Sequence, residues 1–192
     1  LVNLREDVTP EDLARYQVAF YPHSTIFTKR QKEVLEKAVE MGLTLLFGCR
    51  SGYKDETGRC YTMPMPGYVG ELTGCQVEEY TYVSHFDTEV CIAWQDKQAR
   101  AREFHDVLEV TDGQVEAVFS GRGCHYDGKP AIVSKKTGKG CAYYVGTIFT
   151  EELARMIVET MELTKLSPAY GEIKLPETVE LCLRGDVTFL LN

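Results

Sequence analysis

The 192-residue sequence predicts an α/β fold: parallel strands and helices first, an antiparallel addition after them, and a scrap of a second β unit last. Three observations carry this prediction. Residues 17–49 read strand, helix, strand with short joins, the pattern of a right-handed parallel crossover. From Gln76 onward the chain changes to short strand-like runs separated by turn residues. A second helical stripe then occupies 150–166, and a hairpin-like pattern follows at 178–192.

The elements follow in order. "LVNL" at 1–4 is a short strand candidate, and "VTPEDLARY" a loop or helical turn. "QVAFYP" is an apolar run stopped by Pro22, like a strand buried on both faces. In "TKRQKEVLEKAVEMG", Thr28 and Gln31 have capping-box spacing. Val34, Leu35, Ala38, Val39 and Met41 form its stripe, and Gly42 suits the position past its end. "LTLLFGC" is a second buried strand, and 53–68 is a Gly- and Pro-broken loop. "GYVGELTG" reads as a short helix ending near Gly74. "QVEEYTYV", "EVCIAW", "FHDVLEV" and "QVEAVFS" read as strands, with Asp112-Gly113 a hairpin turn between the last two. "PAIVSKKTGKGCAYYVG" is another hairpin, with Ala131 and Val133 alternating on one arm and Cys141, Tyr143 and Val145 on the other. Thr150 can cap "TEELARMIVETMELTKL", whose Leu153, Met156, Ile157, Thr160 and Met161 face the core. "SPAYGEIKLP" is a linker, and "TVELCLRGDVTFLLN" a terminal hairpin.

Composition limits the function. Net charge is -8 at pH 7, so the surface repels phosphate backbones and nucleic acid is not an expected partner. The apolar runs are too short to cross a bilayer, and no basic-then-apolar signal segment opens the sequence. Seven cysteines, without a Cys-x-x-Cys, read as reduced, buried thiols of a cytoplasmic protein.

The sharpest chemical candidate is Gly48-Cys49-Arg50-Ser51-Gly52. A nucleophile elbow holds its nucleophile at the middle of such a five-residue turn. Arg50 stands there, so Cys49 and Ser51 are each off by one, and a polar loop follows where a helix would be needed. The alternative to chemistry is structural: the glycines let the chain leave the sheet while Arg50 and Asp55 hold the loop. Of the four histidines, only His125 adjoins a cysteine, Cys124, and strand neighbours point to opposite faces, so no metal site is expected. "GRGC" and "TGKG" lie between strands and read as hairpin turns, so no phosphate or cofactor site is expected there. Arg184-Gly185-Asp186 reads as a turn. Tyr61, Tyr68 and Trp94 could stack on sugars but fit core or loop packing better.

Three stretches together carry a resemblance: "GLTLLFGCRSGYKDETGR", "KPAIVSKKTGKGCAYYVGT" and "VELCLRGDVTFLLN". They resemble the middle, trimerisation domain of family 42 glycoside hydrolases, the bacterial β-galactosidases. Arg50, Ser51, Gly52 and Asp55 match one family motif; Gly138, Lys139, Gly140, Tyr143, Tyr144 and Gly146 match another. The resemblance implies a flavodoxin-like, class I glutamine amidotransferase-like sheet with helices on both faces, antiparallel additions and the start of a small C-terminal β domain. It implies a trimerisation domain at 1–166, a linker at 167–176 and the β domain from 177, with the domain's first strand and helix missing before "LVNL". It also implies a homotrimeric parent whose catalytic residues lie in a separate TIM barrel, with an Asn-preceded acid/base Glu. A barrel needs about 250 residues and rarely fewer than about 200. Asn3 and Asn192 are the only asparagines and neither precedes Glu, so no catalytic residue is expected in this chain. Met63, Met65 and Tyr68, apolar residues in a loop, suit a subunit contact or, equally, a fold back over their own sheet. The rival readings are an amidotransferase-like or hydrolase enzyme using Cys49, and a sugar-binding regulatory module.

Overall fold

The expected helix forms at its expected place because its ends are chemically marked. In a computed structural model describing residues 2–83, 89–163, 176, 178–184 and 187–191, α2 spans Lys29–Met41. The Thr28 hydroxyl accepts the Gln31 N–H, and the Gln31 side chain returns to the Thr28 N–H, closing a capping box. Such a cap stabilises by about 1 kcal/mol. Gly42 ends the helix at φ 130°, and its N–H reaches the carbonyls of Ala38 and Val39. Leu35, Ala38 and Val39 are buried, each large apolar side chain contributing about 1.5–3 kcal/mol. Met41, expected in the stripe, is 47% exposed. It lies in the last turn, rotated off the buried face. Before it, α1 (Pro10–Ala14) is a single capped turn started by Thr9 and Asp12.

Two compact units are present, Leu1–Ile157 and Val158–Asn192. The first unit is a mixed α/β structure around a seven-stranded sheet of order β1-β2-β9-β8-β7-β4-β5. β1 (Val18–Tyr21), β2 (Thr44–Phe47) and β9 (Gly140–Val145) are parallel. β8 (Pro130–Thr137), β7 (Gln114–Ser120), β4 (Cys91–Trp94) and β5 (Lys97–Arg100) continue the sheet antiparallel. β3 (Cys75–Val83) and β6 (Glu103–Val110) form a separate antiparallel ribbon. α3 (Tyr68–Thr73) precedes the ribbon and ends on Gly74 in the left-handed region. One core cluster joins Leu35 and Val39 of α2, Leu45 and Phe47 of β2, Val69 and Leu72 of α3, and Leu108 of β6. α4 (Glu151–Thr160) is capped by the Thr150 hydroxyl, with Leu153, Met156 and Ile157 buried.

Several expectations are corrected. Residues 2–4 of "LVNL" form no strand; residues 2–5 are irregular, and Leu4 packs against the core cluster. "QVAFYP" is an edge strand, not one buried on both faces: Phe20 is 42% exposed, and an apolar groove of about 260 Å³ lined by Leu4, Leu13, Tyr16 and Val18 runs beside it. Asp112-Gly113 does turn the chain, but β6 pairs with β3 while β7 pairs with β8 and β4, so no hairpin ladder joins them. The Gly74 carbonyl collects the N–H groups of Thr111, Asp112 and Gly113, and the turn hands the chain from ribbon to sheet. β5 has no signature in the sequence because "KQAR" lacks apolar alternation; the two-residue turn Gln95-Asp96 places it, with Gln95 at φ 57°. Ile132 is buried along with Ala131 and Val133, so this arm is covered on both faces. In the second unit β10 (Glu180–Arg184) and β11 (Val187–Leu191) pair as the expected hairpin. The linker at 167–176 lies outside the described residues except for residue 176, as do Gly185 and Asp186.

Candidate functional site

The turn after β2 is an elbow with an arginine at its centre. Arg50 has φ 61°, a backbone region that a residue with a Cβ enters at a cost. Gly48 and Gly52 make room on either side. A Cβ at Gly48 would stand 2.6 Å from the His23 ring, and one at Gly52 2.4 Å from the Pro66 carbonyl oxygen. No helix follows the elbow; Asp55 instead closes the next loop, accepting the N–H groups of Thr57 and Arg59 and the Thr57 hydroxyl. Asp55 therefore holds the loop as expected, but Arg50 is engaged elsewhere.

What holds Arg50 is Asp106. The Arg50 N–H donates to Asp106 Oδ2 at 2.7 Å, and the Tyr144 hydroxyl donates to the same oxygen at 2.7 Å. Asp106 comes from β6, whose backbone reaches Gly146 just past the end of β9: the Asp106 N–H donates to the Gly146 carbonyl at 2.7 Å. A Cβ on Gly146 would lie 2.4 Å from the Asp106 carbonyl oxygen, so the contact needs glycine there. Asp106 and Tyr144 are both fully buried. Burial raises the Asp106 carboxyl pKa, opposed by hydrogen bonding, foremost from the Arg50 N–H and the Tyr144 hydroxyl, and by the Arg50 charge. Burial also drives the Tyr144 hydroxyl well above its ordinary range, so it remains a donor. Asp106 Oδ1, the Tyr53 hydroxyl and Ser51 Oγ are buried without a hydrogen-bond partner.

The Arg50 guanidinium lies over three rings: Tyr53 at 5.2 Å, Tyr80 at 5.6 Å and Phe104 at 4.7 Å from the centroids. Each distance is within the range of cation–π attraction. The ribbon is pinned from its other face by His105, which stacks on Phe119 at 5.3 Å and bonds the Tyr126 hydroxyl at 2.7 Å. Burial lowers the His105 pKa to about 4, keeping the ring neutral.

Cys49 does meet a histidine, which the sequence did not reveal. Its Sγ lies 3.7 Å from His23 Nδ1. The pair is wired against catalysis. His23 Nε2 accepts the Phe149 N–H at 3.3 Å, so the neutral ring carries its proton on Nδ1, where it donates to the Cys49 carbonyl at 3.2 Å. Nδ1 is then no base for the thiol. Burial, with the Asp106 carboxylate second, pushes the Cys49 thiol far above its usual range. A thiolate nucleophile is disfavoured on both counts.

The second motif divides. Tyr144 and Gly146 join the elbow, while Gly138, Lys139 and Gly140 sit at the opposite end of β9, against the end of α2. The Lys139 N–H donates to the Glu40 carbonyl. Tyr143 points to the other face of the sheet, its ring 6.4 Å from that of Trp94. Met65 and Tyr68 pack against their own core, with Tyr68 edge-on to Tyr61, and Met63 stays half-buried. Trp94 is 3% exposed and cannot present a face to a sugar. All seven thiols are free, but only Cys49 and Cys75 are buried; Cys60 is exposed, correcting the expectation of uniform burial. His125 pairs with Glu79, not with Cys124, and no group able to hold a metal occurs among the described residues. No described helix is long and apolar enough to cross a membrane. Sequence reasoning missed Asp106, His23, Tyr53, Tyr80 and Phe104. One signal existed: "FHDVLEV" carries a His-Asp pair inside an apolar strand, where an acid must find partners.

An elbow whose central position is an arginine, and whose neighbouring thiol is buried, is an arrangement for holding a turn. A family model described as the β-galactosidase trimerisation domain matches residues 2–165. The chain belongs to this family. The trimerisation domain is 30% identical over 175 residues to the β-galactosidase BgaA of Clostridium cellulovorans, covering 89% of this chain and 25% of that protein. It is 28% identical over 188 residues to the β-galactosidase LacZ of Heyndrickxia coagulans, covering 95% of this chain and 27% of that protein. The trimerisation domain thus spans about a quarter of the length of these relatives. Its fold is similar to part of the Halorubrum lacusprofundi β-galactosidase structure, with TM-score 0.79, 23% identity, and coverage of 94% of this chain and 26% of that one. The Bacillus circulans enzyme gives TM-score 0.79 at 21% identity, covering 93% of this chain and 27% of that one.

Proposed function

We propose that the chain is a non-catalytic oligomerisation and scaffolding domain of a β-galactosidase that hydrolyses terminal β-D-galactosides in carbohydrate metabolism. In this reading the full-length parent is a cytoplasmic homotrimer. Its TIM barrels carry the two catalytic carboxylates, and this domain braces them. The observation that carries the reading is Arg50 at φ 61°, where an elbow of this kind would hold its nucleophile. The fold is read as amidotransferase-like on the same ground: three parallel strands, with an elbow at the end of β2 that keeps the backbone and lacks the chemistry. Residues 1–166 are the trimerisation domain, 167–176 the linker, and 177–192 the beginning of a C-terminal β domain. The family description, a trimerisation domain, supports assembly as the role. Within the loop proposed as a subunit contact, Met63 is the side chain that stands outside the core cluster, so a contribution there rests on it more than on Met65 or Tyr68.

Light scattering on the full-length parent is expected to give the mass of a trimer, and the purified 192-residue chain is expected to leave a chromogenic galactoside intact. A parent that stays monomeric, or hydrolysis by the chain alone, overturns the reading.

A further inference from the structure

The ribbon turns one face to the elbow and leaves the far part of that face open. Its register sets Tyr80 opposite Asp106 and Tyr82 opposite Phe104, so these four side chains share the face. Asp106 is fully buried, while Tyr80 is 53% and Tyr82 61% exposed. The Tyr82 and Phe104 rings meet edge to face at 5.4 Å, and Tyr80 meets Tyr53 at 6.0 Å. Arg50 lies against this aromatic surface and makes no ion pair among the described residues. A held guanidinium beside two exposed tyrosines has the composition of an interface hot spot, and its order means little rotamer freedom is lost on contact.

We propose that Arg50, Tyr80, Tyr82 and Phe104 form a subunit contact, occupied by a carboxylate-bearing surface of a second copy of this chain; the proposal rests on the scaffolding reading above. Charge complementarity chooses the occupant. The chain has 29 acidic against 21 basic residues, so a copy offers carboxylates in excess, while the Arg50 guanidinium, near Asp106, makes no ion pair among the described residues. A ring of three uses contacts in which each patch meets a different surface of its neighbour, so a cationic aromatic patch on one side and an acidic one on the other is the geometry required. A neutral sugar would use the rings and bring no charge to the guanidinium.

The test is sedimentation equilibrium of the 192-residue chain, with Tyr80→Ser/Tyr82→Ser and Arg50→Gln variants checked by circular dichroism. The wild type is expected to assemble above its 21.7 kDa monomer mass. Each variant is expected to keep its spectrum and to raise the self-dissociation constant about 30-fold or more. Added salt is expected to weaken the wild type and to affect Arg50→Gln much less. Folded variants that assemble like the wild type overturn this contact and leave the scaffolding reading standing. A wild type that remains monomeric overturns this contact; the scaffolding reading is decided by the mass of the full-length parent. Saturable galactose binding that is lost in the tyrosine variant, with assembly unchanged, replaces the subunit contact with a sugar platform.

Discussion

Replacing Tyr144 with Phe removes one oxygen from the centre of the elbow and leaves the ring in place. Tyr144 is fully buried, and its hydroxyl donates to Asp106 Oδ2 at 2.7 Å. In the variant that carboxyl keeps the Arg50 N–H and loses its other donor, while Oδ1 already has no partner. A hydrogen bond to a charged group contributes about 1.5–3 kcal/mol, and the hydroxyl's own desolvation, no longer incurred, offsets part of that. The expected loss is about 2 kcal/mol, or a fall in Tm of about 4–8 °C for a protein of this size. Urea unfolding followed by circular dichroism reads it, with an unchanged slope against denaturant confirming that the folded state keeps its extent. A double-mutant cycle with Asp106→Asn isolates the pair, and a coupling of about 1 kcal/mol or more is expected. A loss below about 0.5 kcal/mol, or energies that simply add within about 0.5 kcal/mol, refutes the bond as the element holding the elbow.

Three further outcomes are expected. Burial raises the Asp106 carboxyl above its ordinary 3.8, so the folded protein holds that proton at a pH where the unfolded chain has released it. Stability from this group is therefore full below 3.8 and declines as pH rises through the raised value. Asp106→Asn should abolish the decline, and a featureless difference between the two stability–pH curves would contradict the assignment. In native protein near neutral pH, iodoacetamide should label exposed Cys60 first; Cys49 and Cys75, buried and with raised thiol pKa values, should react only as the chain unfolds. Fast labelling of Cys49 would restore the thiol-enzyme reading. Gly140→Ala places a Cβ 2.3 Å from the carbonyl oxygens of both Leu43 and Val39, and backbone on both sides cannot give way cheaply. A cost of about 1–3 kcal/mol or more is expected from denaturant midpoints, and a neutral result would show that α2 and β9 dock more loosely.

Local chemistry was readable where it acts over a few residues. The capping box of Thr28 and Gln31, the Gly42 stop, the β8–β9 hairpin and the α4 stripe all follow from neighbours in the chain. Two features that bear on chemistry were also readable: no Asn-Glu pair, and an arginine at the centre of the elbow. Pairing partners were not. Asp112-Gly113 promised a hairpin between β6 and β7, yet both strands found other neighbours, because a turn sets the direction of the chain while ladder partners depend on which apolar faces can be covered together.

Amino-acid order was thus sufficient for most of the longer elements, the acidic composition and the family resemblance, since these rest on short-range pattern and composition. Folding alone brought Asp106 across 56 residues to the backbone of Arg50, set His23 beside Cys49 with its proton on the wrong nitrogen for catalysis, and stacked three rings around a guanidinium. Those contacts join residues far apart in the chain, and their geometry is set by how β6, β9 and the elbow pack against one another, which no local pattern encodes.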